Sequence, residues 1–197
     1  MSKKESTFFN MVISLLVITL VSGFSLGFVN DLTLEPKAKA KLAQKVNALQ
    51  SVLPEFDNDP IADVIRFKVA QVADSVEVYP AFKNKEFVGA AVIGSSERGY
   101  NGLVKIMVGF KPDGSIKNII VLEQKETPGL GTKMKSENFL QQFRDKNPSG
   151  FKLKVKKDGG DVDALTGATI TTRAFTESAQ MAYDEFMNNM AIITKPD

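Results

Sequence analysis

Residues 8–29 form a mostly apolar run of 22, and no charged residue lies between Glu5 and Asp31. As a helix rising 1.5 Å per residue, such a run spans roughly 33 Å, which matches a bilayer core of about 30 Å. Ser14, Thr19, Ser22, Gly23, Ser25 and Gly27 interrupt it, and small or hydroxyl residues of this kind pack or bond internally in a membrane helix. A cleaved signal peptide carries a shorter apolar core, about 7–15 residues, followed by a small-x-small cleavage site. Here the run is longer and Val21-Ser22-Gly23 lies inside it. The expectation is a retained single-pass anchor over residues 1–30. Its orientation is open on charge alone. Lys3 and Lys4 favour a cytoplasmic N-terminus, whereas Lys37, Lys39, Lys41 and Lys45 pull the other way.

Beyond the anchor the chain has room for one ordinary domain. The 197 residues are 43% hydrophobic and 24% charged, so the protein can bury a core. It contains no cysteine and no histidine. That excludes protein-ligated iron–sulfur clusters, Cys/His zinc sites, histidine-based triads and thiol nucleophiles. Redox work would therefore need an added cofactor. A net charge of +2, with no basic block interleaved with aromatics, gives no reason to expect nucleic acid.

Residues 37–53 place Leu42, Val46, Leu49 and Leu53 on one side, an amphipathic helix stopped by Pro54. With the turn after it, this makes a connector over residues 31–60, whose lysines can face lipid headgroups or simply solvent. From residue 61 onward strands are expected at 64–70, 76–79, 87–94, 103–110 and 116–122. The last two flank Lys111-Pro112-Asp113-Gly114, a strong hairpin signal. Val104, Ile106, Val108 and Phe110 alternate with Lys105, Met107 and Gly109, which predicts one core-facing side. A helix starting at Ser136, a short strand at 152–155 and a final helix over 173–190 complete the reading. The buried stripe of that last helix is Phe175, Ala179, Ala182, Phe186 and Met190. The fold class is α+β: a membrane helix, then a domain over 61–197 with a mostly antiparallel sheet and packed helices.

Three loops carry more punctuation than a connection needs. Gly99-Tyr100-Asn101-Gly102 sets an aromatic between glycines, and Glu126-Thr127-Pro128-Gly129-Leu130-Gly131 combines a fixed φ with two flexible positions. Asp163-Ala164-Leu165-Thr166-Gly167-Ala168-Thr169-Ile170-Thr171-Thr172 then leads into the final helix. Small residues and hydroxyls at a helix start suit a phosphate, because the first-turn amides lack helical partners and the dipole favours negative charge. The same residues also suit a plain threonine cap.

The single span, the Gly-Tyr-x-Gly turn, the Pro-Asp-Gly hairpin, Glu126–Gly131 and Asp-x-x-Thr-Gly-Ala-Thr occur in that order. The order resembles the G subunit of the Rnf ion-translocating ferredoxin:NAD oxidoreductase complex. It is also similar to the C subunit of the sodium-translocating NADH:quinone reductase, which shares the FMN-binding domain. The resemblance implies one FMN, joined through its phosphate to the side chain of Thr169 as a phosphodiester. Thr166, Gly167 and Ala168 fill the preceding motif positions, and Asp163 matches the acid that a flavin transferase recognises. Thr171 is a minor rival acceptor, and Gln124 stands where many relatives have histidine.

The resemblance also implies a redox subunit with no catalytic residue or metal ligand of its own. Its expected partners are the other membrane, iron–sulfur and flavin subunits, the flavin transferase and the lipid bilayer. The N-terminus would lie in the cytoplasm, with the domain on the outer side of the cytoplasmic membrane. Thr127, Gly129, Leu130 and Gly131 are expected near the flavin ring, while Tyr100 either stacks there or fills the core. The alternatives are a quinone-reductase C-type subunit, a stand-alone flavin reductase and a cofactor-free membrane-anchored binding module.

Overall fold

The structure, a computed structural model, describes residues 7–68 and 75–195. The chain divides into two compact units, Met1–Ala43 and Gln44–Asp197. One helix, α1, runs over Phe8–Val52 and includes the whole apolar run. It is long and apolar enough to cross a membrane. The separate helices expected at 8–29 and 37–53 are therefore a single one, with Pro36 inside it. A proline inside a helix removes one backbone bond. Here the carbonyl left without that partner belongs to exposed Leu32. Glu35 and Lys39, one turn apart and 2.7 Å from each other, bracket the proline. Pro54 does act as the stop, since α1 ends at Val52.

The second unit is built on a five-stranded sheet in the order β1-β2-β3-β4-β5, every neighbouring pair antiparallel. The strands are β1 (Ile65–Phe67), β2 (Val76–Lys83), β3 (Glu86–Gly99), β4 (Gly102–Phe110) and β5 (Ile116–Gln124). All five expected strands are present. β3 continues five residues beyond its expected end, and residues 69–70 of the first lie outside the described residues. The Pro-Asp-Gly turn joins β4 to β5, with Gly114 at φ 81° and the Asp113 carboxylate accepting from the Ser115 N–H at 2.9 Å.

Both faces of the sheet are covered, whereas the alternation in β4 suggested one. Val78, Ala90, Val92, Ile106, Val108 and Phe110 pack with Phe175, Ala179, Ala182 and Phe186 of the long helix α3 (Thr169–Asn188). On the opposite face Tyr79, Ala91, Ile93 and Met107 pack with Ala48, Leu49, Val52 and Leu53, so the last turns of α1 lie in the domain core. Met107 is neither charged nor small, and a strand sandwiched between layers is apolar on both sides. Beside it, Lys45 reaches Glu77 at 2.6 Å, and the Tyr79 hydroxyl donates to the same carboxylate at 2.7 Å. Burial alone would raise the Glu77 carboxyl; Lys45 and Tyr79 outweigh it and hold the group below the usual carboxylate range.

On the α3 side the approach is close enough to exclude any side chain at Gly94. A Cβ there would lie 2.0 Å from the Ser178 carbonyl oxygen.

Three smaller elements differ from expectation. The helix at Ser136 is one turn, α2 (Glu137–Leu140), continued by a 3-10 turn at Gln141–Phe143. Residues 152–155 form no strand. Leu153 and Val155 are buried, and among the described residues the segment forms one parallel bridge, Val155 with Val162. Its lysine–apolar alternation comes from an extended strap lying on the core. The stripe of the final helix ends at Phe186. Met190 belongs to a separate turn, α4 (Met190–Ile193), and packs only partly buried against the core.

Candidate functional site

The third loop enters α3 four residues earlier than its periodicity suggests, so Thr169 is the first residue of the helix rather than part of the loop. The threonines do not cap it. Ala168 is the cap residue, and no side chain bonds the first-turn amides there. Thr172 instead fastens the turn from behind: its Oγ1 accepts the Leu165 N–H at 3.1 Å and donates to the Ala168 carbonyl at 3.0 Å. Gly167 sits at φ 76°, a left-handed conformation that glycine adopts without strain. The first helical bond is from Thr172 N–H to the Ala168 carbonyl, 3.0 Å. The amides of Thr169, Ile170 and Thr171 therefore have no helical partner.

The four threonines differ sharply in surroundings. Thr171 and Thr172 are buried, at 1% and 0% exposure, and both hydroxyls are bonded. Thr166 is exposed and Thr169 half-buried, and neither hydroxyl has a hydrogen bond among the described residues. Thr171 presents no hydroxyl at the surface. Of the two free hydroxyls, that of Thr169 is the one on the helix end.

One buried carboxylate joins the three punctuated loops. Glu126 is 5% exposed. Its Oε1 accepts the Asn101 N–H at 3.1 Å, from the first loop, and its Oε2 accepts the Thr171 hydroxyl at 2.6 Å, from α3. Its own N–H donates to the Gln124 side chain at 2.6 Å. Two motif glycines make room for it. A Cβ at Gly99 would lie 2.2 Å from the Gly102 carbonyl oxygen and 2.6 Å from Glu126 Oε1, and one at Gly131 would lie 2.7 Å from Oε2 and 2.9 Å from Thr171 Oγ1. Gly131 thus lies buried with its α-carbon turned to Glu126 and Thr171. The periodicity of the sequence gives no sign of Glu126, because a single buried acid in a loop leaves no repeating pattern.

Each of the joined segments also exposes a large side chain. Tyr100 is 68% exposed, Leu130 44% and Ile170 46%. Tyr100 therefore does not fill the core. Leu130 leans on the motif, since a Cβ at Gly167 would stand 3.3 Å from its Cδ2. Ile170 was not singled out in the sequence; it follows Thr169 on the exposed side of the helix. Thr127 accepts the Leu130 and Thr132 N–H groups at its carbonyl, 3.2 and 3.4 Å. Gly129, exposed at φ 77°, donates its N–H to Thr132 Oγ1 at 2.9 Å. Ala168 is buried beneath the turn at 7% exposure.

Asp163 lies at the exposed edge of the motif. Its N–H donates to the Gln142 side chain at 2.8 Å, and its carboxylate pairs with Lys156 at 2.8 Å. Arg173, one helical turn beyond Thr169, holds Asp158 through two bonds of 2.7 and 2.8 Å. The guanidinium keeps the Asp158 carboxyl below its usual range. A cavity of about 960 Å³ is lined by Phe67, Arg98, Asp158, Arg173 and Glu177 among others, and Thr169 does not line it. Its two arginines are spent on internal partners, Asp158 and Glu177.

The arrangement offers a free hydroxyl and three amides without helical partners at the start of α3, together with exposed Tyr100, Leu130 and Ile170 on the segments that Glu126 joins. Such groups suit a phosphate ester and the face of a flat ring system. Among the described residues no group of three or more acids stands ready for a metal ion.

Known proteins share both the sequence and the fold. Residues 99–184 match the FMN-binding domain family, a span that begins at the Gly-Tyr-x-Gly turn and contains Thr169. The chain is 33% identical to the G subunit of the ion-translocating oxidoreductase complex of Vibrio atlanticus, over 92% of this chain and 93% of that one. It is 28% identical to the G subunit of the proton-translocating ferredoxin:NAD(+) oxidoreductase complex of Clostridium ljungdahlii, over 93% and 94% of the two chains. The crystal structure of NqrC from Shewanella oneidensis has the same fold, with a TM-score of 0.51 at 20% identity over 74% of this chain and 73% of that one.

Proposed function

We infer what this protein does from the family to which it belongs, the G subunits of ion-translocating oxidoreductase complexes. It is a redox subunit with an FMN-binding domain, and its role is electron transfer within a membrane complex. We further propose that the FMN is covalent, one per chain, esterified through its phosphate to Thr169. The complex it serves would couple electron transfer between ferredoxin and NAD to ion movement. The anchor would set the N-terminus in the cytoplasm and the domain outside, within reach of a flavin transferase that recognises Asp163.

One observation carries this reading. Thr169 combines a free hydroxyl with the start of a long helix, while Thr171 and Thr172 are buried and bonded. The amides of Thr169, Ile170 and Thr171 would receive the phosphate charge, which the helix dipole also favours. Gly167 and Ala168 keep the approach to the hydroxyl open. Tyr100, Leu130 and Ile170 would cover apolar ring surface and exclude water from it. FMN supplies the electron-carrying chemistry when bound; the protein holds, orients and shields it. Tethering fixes the carrier among its partners without loss by dissociation. The apolar run of α1 carries no ionisable residue, so the ion path is assigned to other subunits.

The test is co-expression with a flavin transferase, denaturation, and inspection of the gel under ultraviolet light. Wild type should fluoresce and Thr169→Ala should be dark, with Thr171→Ala still bright. A dark wild-type band, or a Thr169→Ala band as bright as wild type, would overturn the assignment.

A further inference from the structure

We propose that Glu126 is the residue that both positions the flavin site and sets its redox potential, acting as a buried fixed negative charge. The proposal rests on the covalent-FMN reading above. Glu126 is 5% exposed, yet no lysine or arginine lies within ion-pair distance of it among the described residues. Both of its oxygens accept, one from a backbone N–H and one from a hydroxyl. A backbone N–H can only donate, so Oε1 is held as an acceptor.

The cost of keeping a charge here is visible in the sequence. Gly131 is excluded from carrying a side chain by Glu126 and by the Thr171 hydroxyl bonded to it, and at Gly99 Glu126 Oε1 adds to the exclusion made by the Gly102 carbonyl oxygen. A joint that served only to fasten three loops could use a neutral amide. A carboxylate adds a field. At this depth the surrounding dielectric is low, so the charge acts over the length of a side chain with little screening. Its Oε2 is bonded to Thr171, two residues from Thr169, and its loop carries Leu130.

A fixed negative charge opposes the arrival of electrons next to it and so lowers the potential of a carrier in the patch. Positioning comes from the same contacts. Through Thr171 the carboxylate holds the first turn of α3. Through Asn101 it holds the turn bearing Tyr100. Glu126 thus acts on the cofactor through these residues and through space.

The experiment is a redox-mediated spectroelectrochemical titration of the full-length flavinylated protein in detergent. Glu126→Gln keeps the shape and removes the charge, so the flavin midpoint should move to a more positive value. The shift should be larger than that of Glu123→Gln, an exposed acid on the neighbouring strand. Glu126→Asp, which restores the charge, should return the midpoint toward wild type. A midpoint in Glu126→Gln equal to wild type, or no larger shift than in Glu123→Gln, overturns the proposal while leaving the covalent-FMN reading intact. A wild-type protein without covalent flavin overturns that reading and the proposal with it. If Glu126→Gln does not fold, the reduced-minus-oxidised infrared difference spectrum of wild type decides. A carboxylate band that responds to flavin reduction and is retained in Glu123→Gln supports the proposal, and its absence overturns it.

Discussion

Replacing Thr171 by valine isolates the bond that ties the first turn of α3 to the neighbouring loop. The hydroxyl donates to Glu126 Oε2 at 2.6 Å, with the two residues 1% and 5% exposed, so neither end has water to fall back on. Valine fills nearly the same volume, so no cavity opens, and Asn101 still donates to Oε1. The loss is one buried hydrogen bond to a carboxylate, about 2 kcal/mol. For a domain of this size each kcal/mol lowers Tm by about 2–4 °C, so a fall of roughly 4–8 °C is expected. Circular dichroism of the detergent-solubilised full chain, heated before flavin attachment, would measure it. The flavin label itself should persist, because the acceptor hydroxyl is untouched. A Tm within about 1 °C of wild type would refute the bond as a clamp. Loss of the label with an unchanged Tm would refute the assignment of separate roles to Thr171 and Thr169.

Phe186 stacks on Phe110 at 4.9 Å between ring centroids, and both are fully buried. Phe186→Ala should cost about 3–5 kcal/mol, measurable by the same thermal scan, with α3 loosening from the sheet. Glu77 gives a pH signature. Its folded carboxyl is held below the usual range, so it binds protons more readily in the unfolded chain. The resulting stability is present above the ordinary carboxylate value and is lost as pH falls through the folded one. Between about pH 7 and pH 4, wild type should therefore lose more Tm than Glu77→Gln, and equal losses would show that Glu77 contributes nothing.

Much of the chain is legible because its signals are repetitive. A run without charge can only be an apolar helix, and the alternation in β4 and the Pro-Asp-Gly turn define a hairpin before any coordinates exist. The stripe from Phe175 to Phe186 marks the long helix and its buried side. Pattern and structure part where the local signal has two physical sources. The alternation at 152–155 comes equally from a strand or from an extended strap. Pro36 ordinarily separates helices, but on an exposed stretch it costs too little to break α1. Threonines lower helix propensity and so mask the start of α3, whereas Thr171 and Thr172 find buried partners inside the first turn.

By itself the sequence determined the long apolar helix, the antiparallel sheet and, for any redox role, the need for an added cofactor. The first two follow from the spacing of apolar residues, and the third from the absence of histidine and cysteine. It also singled out the segment that holds Thr169, through a resemblance in motif order. Only the tertiary structure decided which hydroxyls are free, because burial depends on what packs above a residue and not on its neighbours in the chain. It alone showed that Gly99, Gly131 and Thr171 meet at Glu126, since the loops that carry them are remote in sequence and are joined by a single carboxylate.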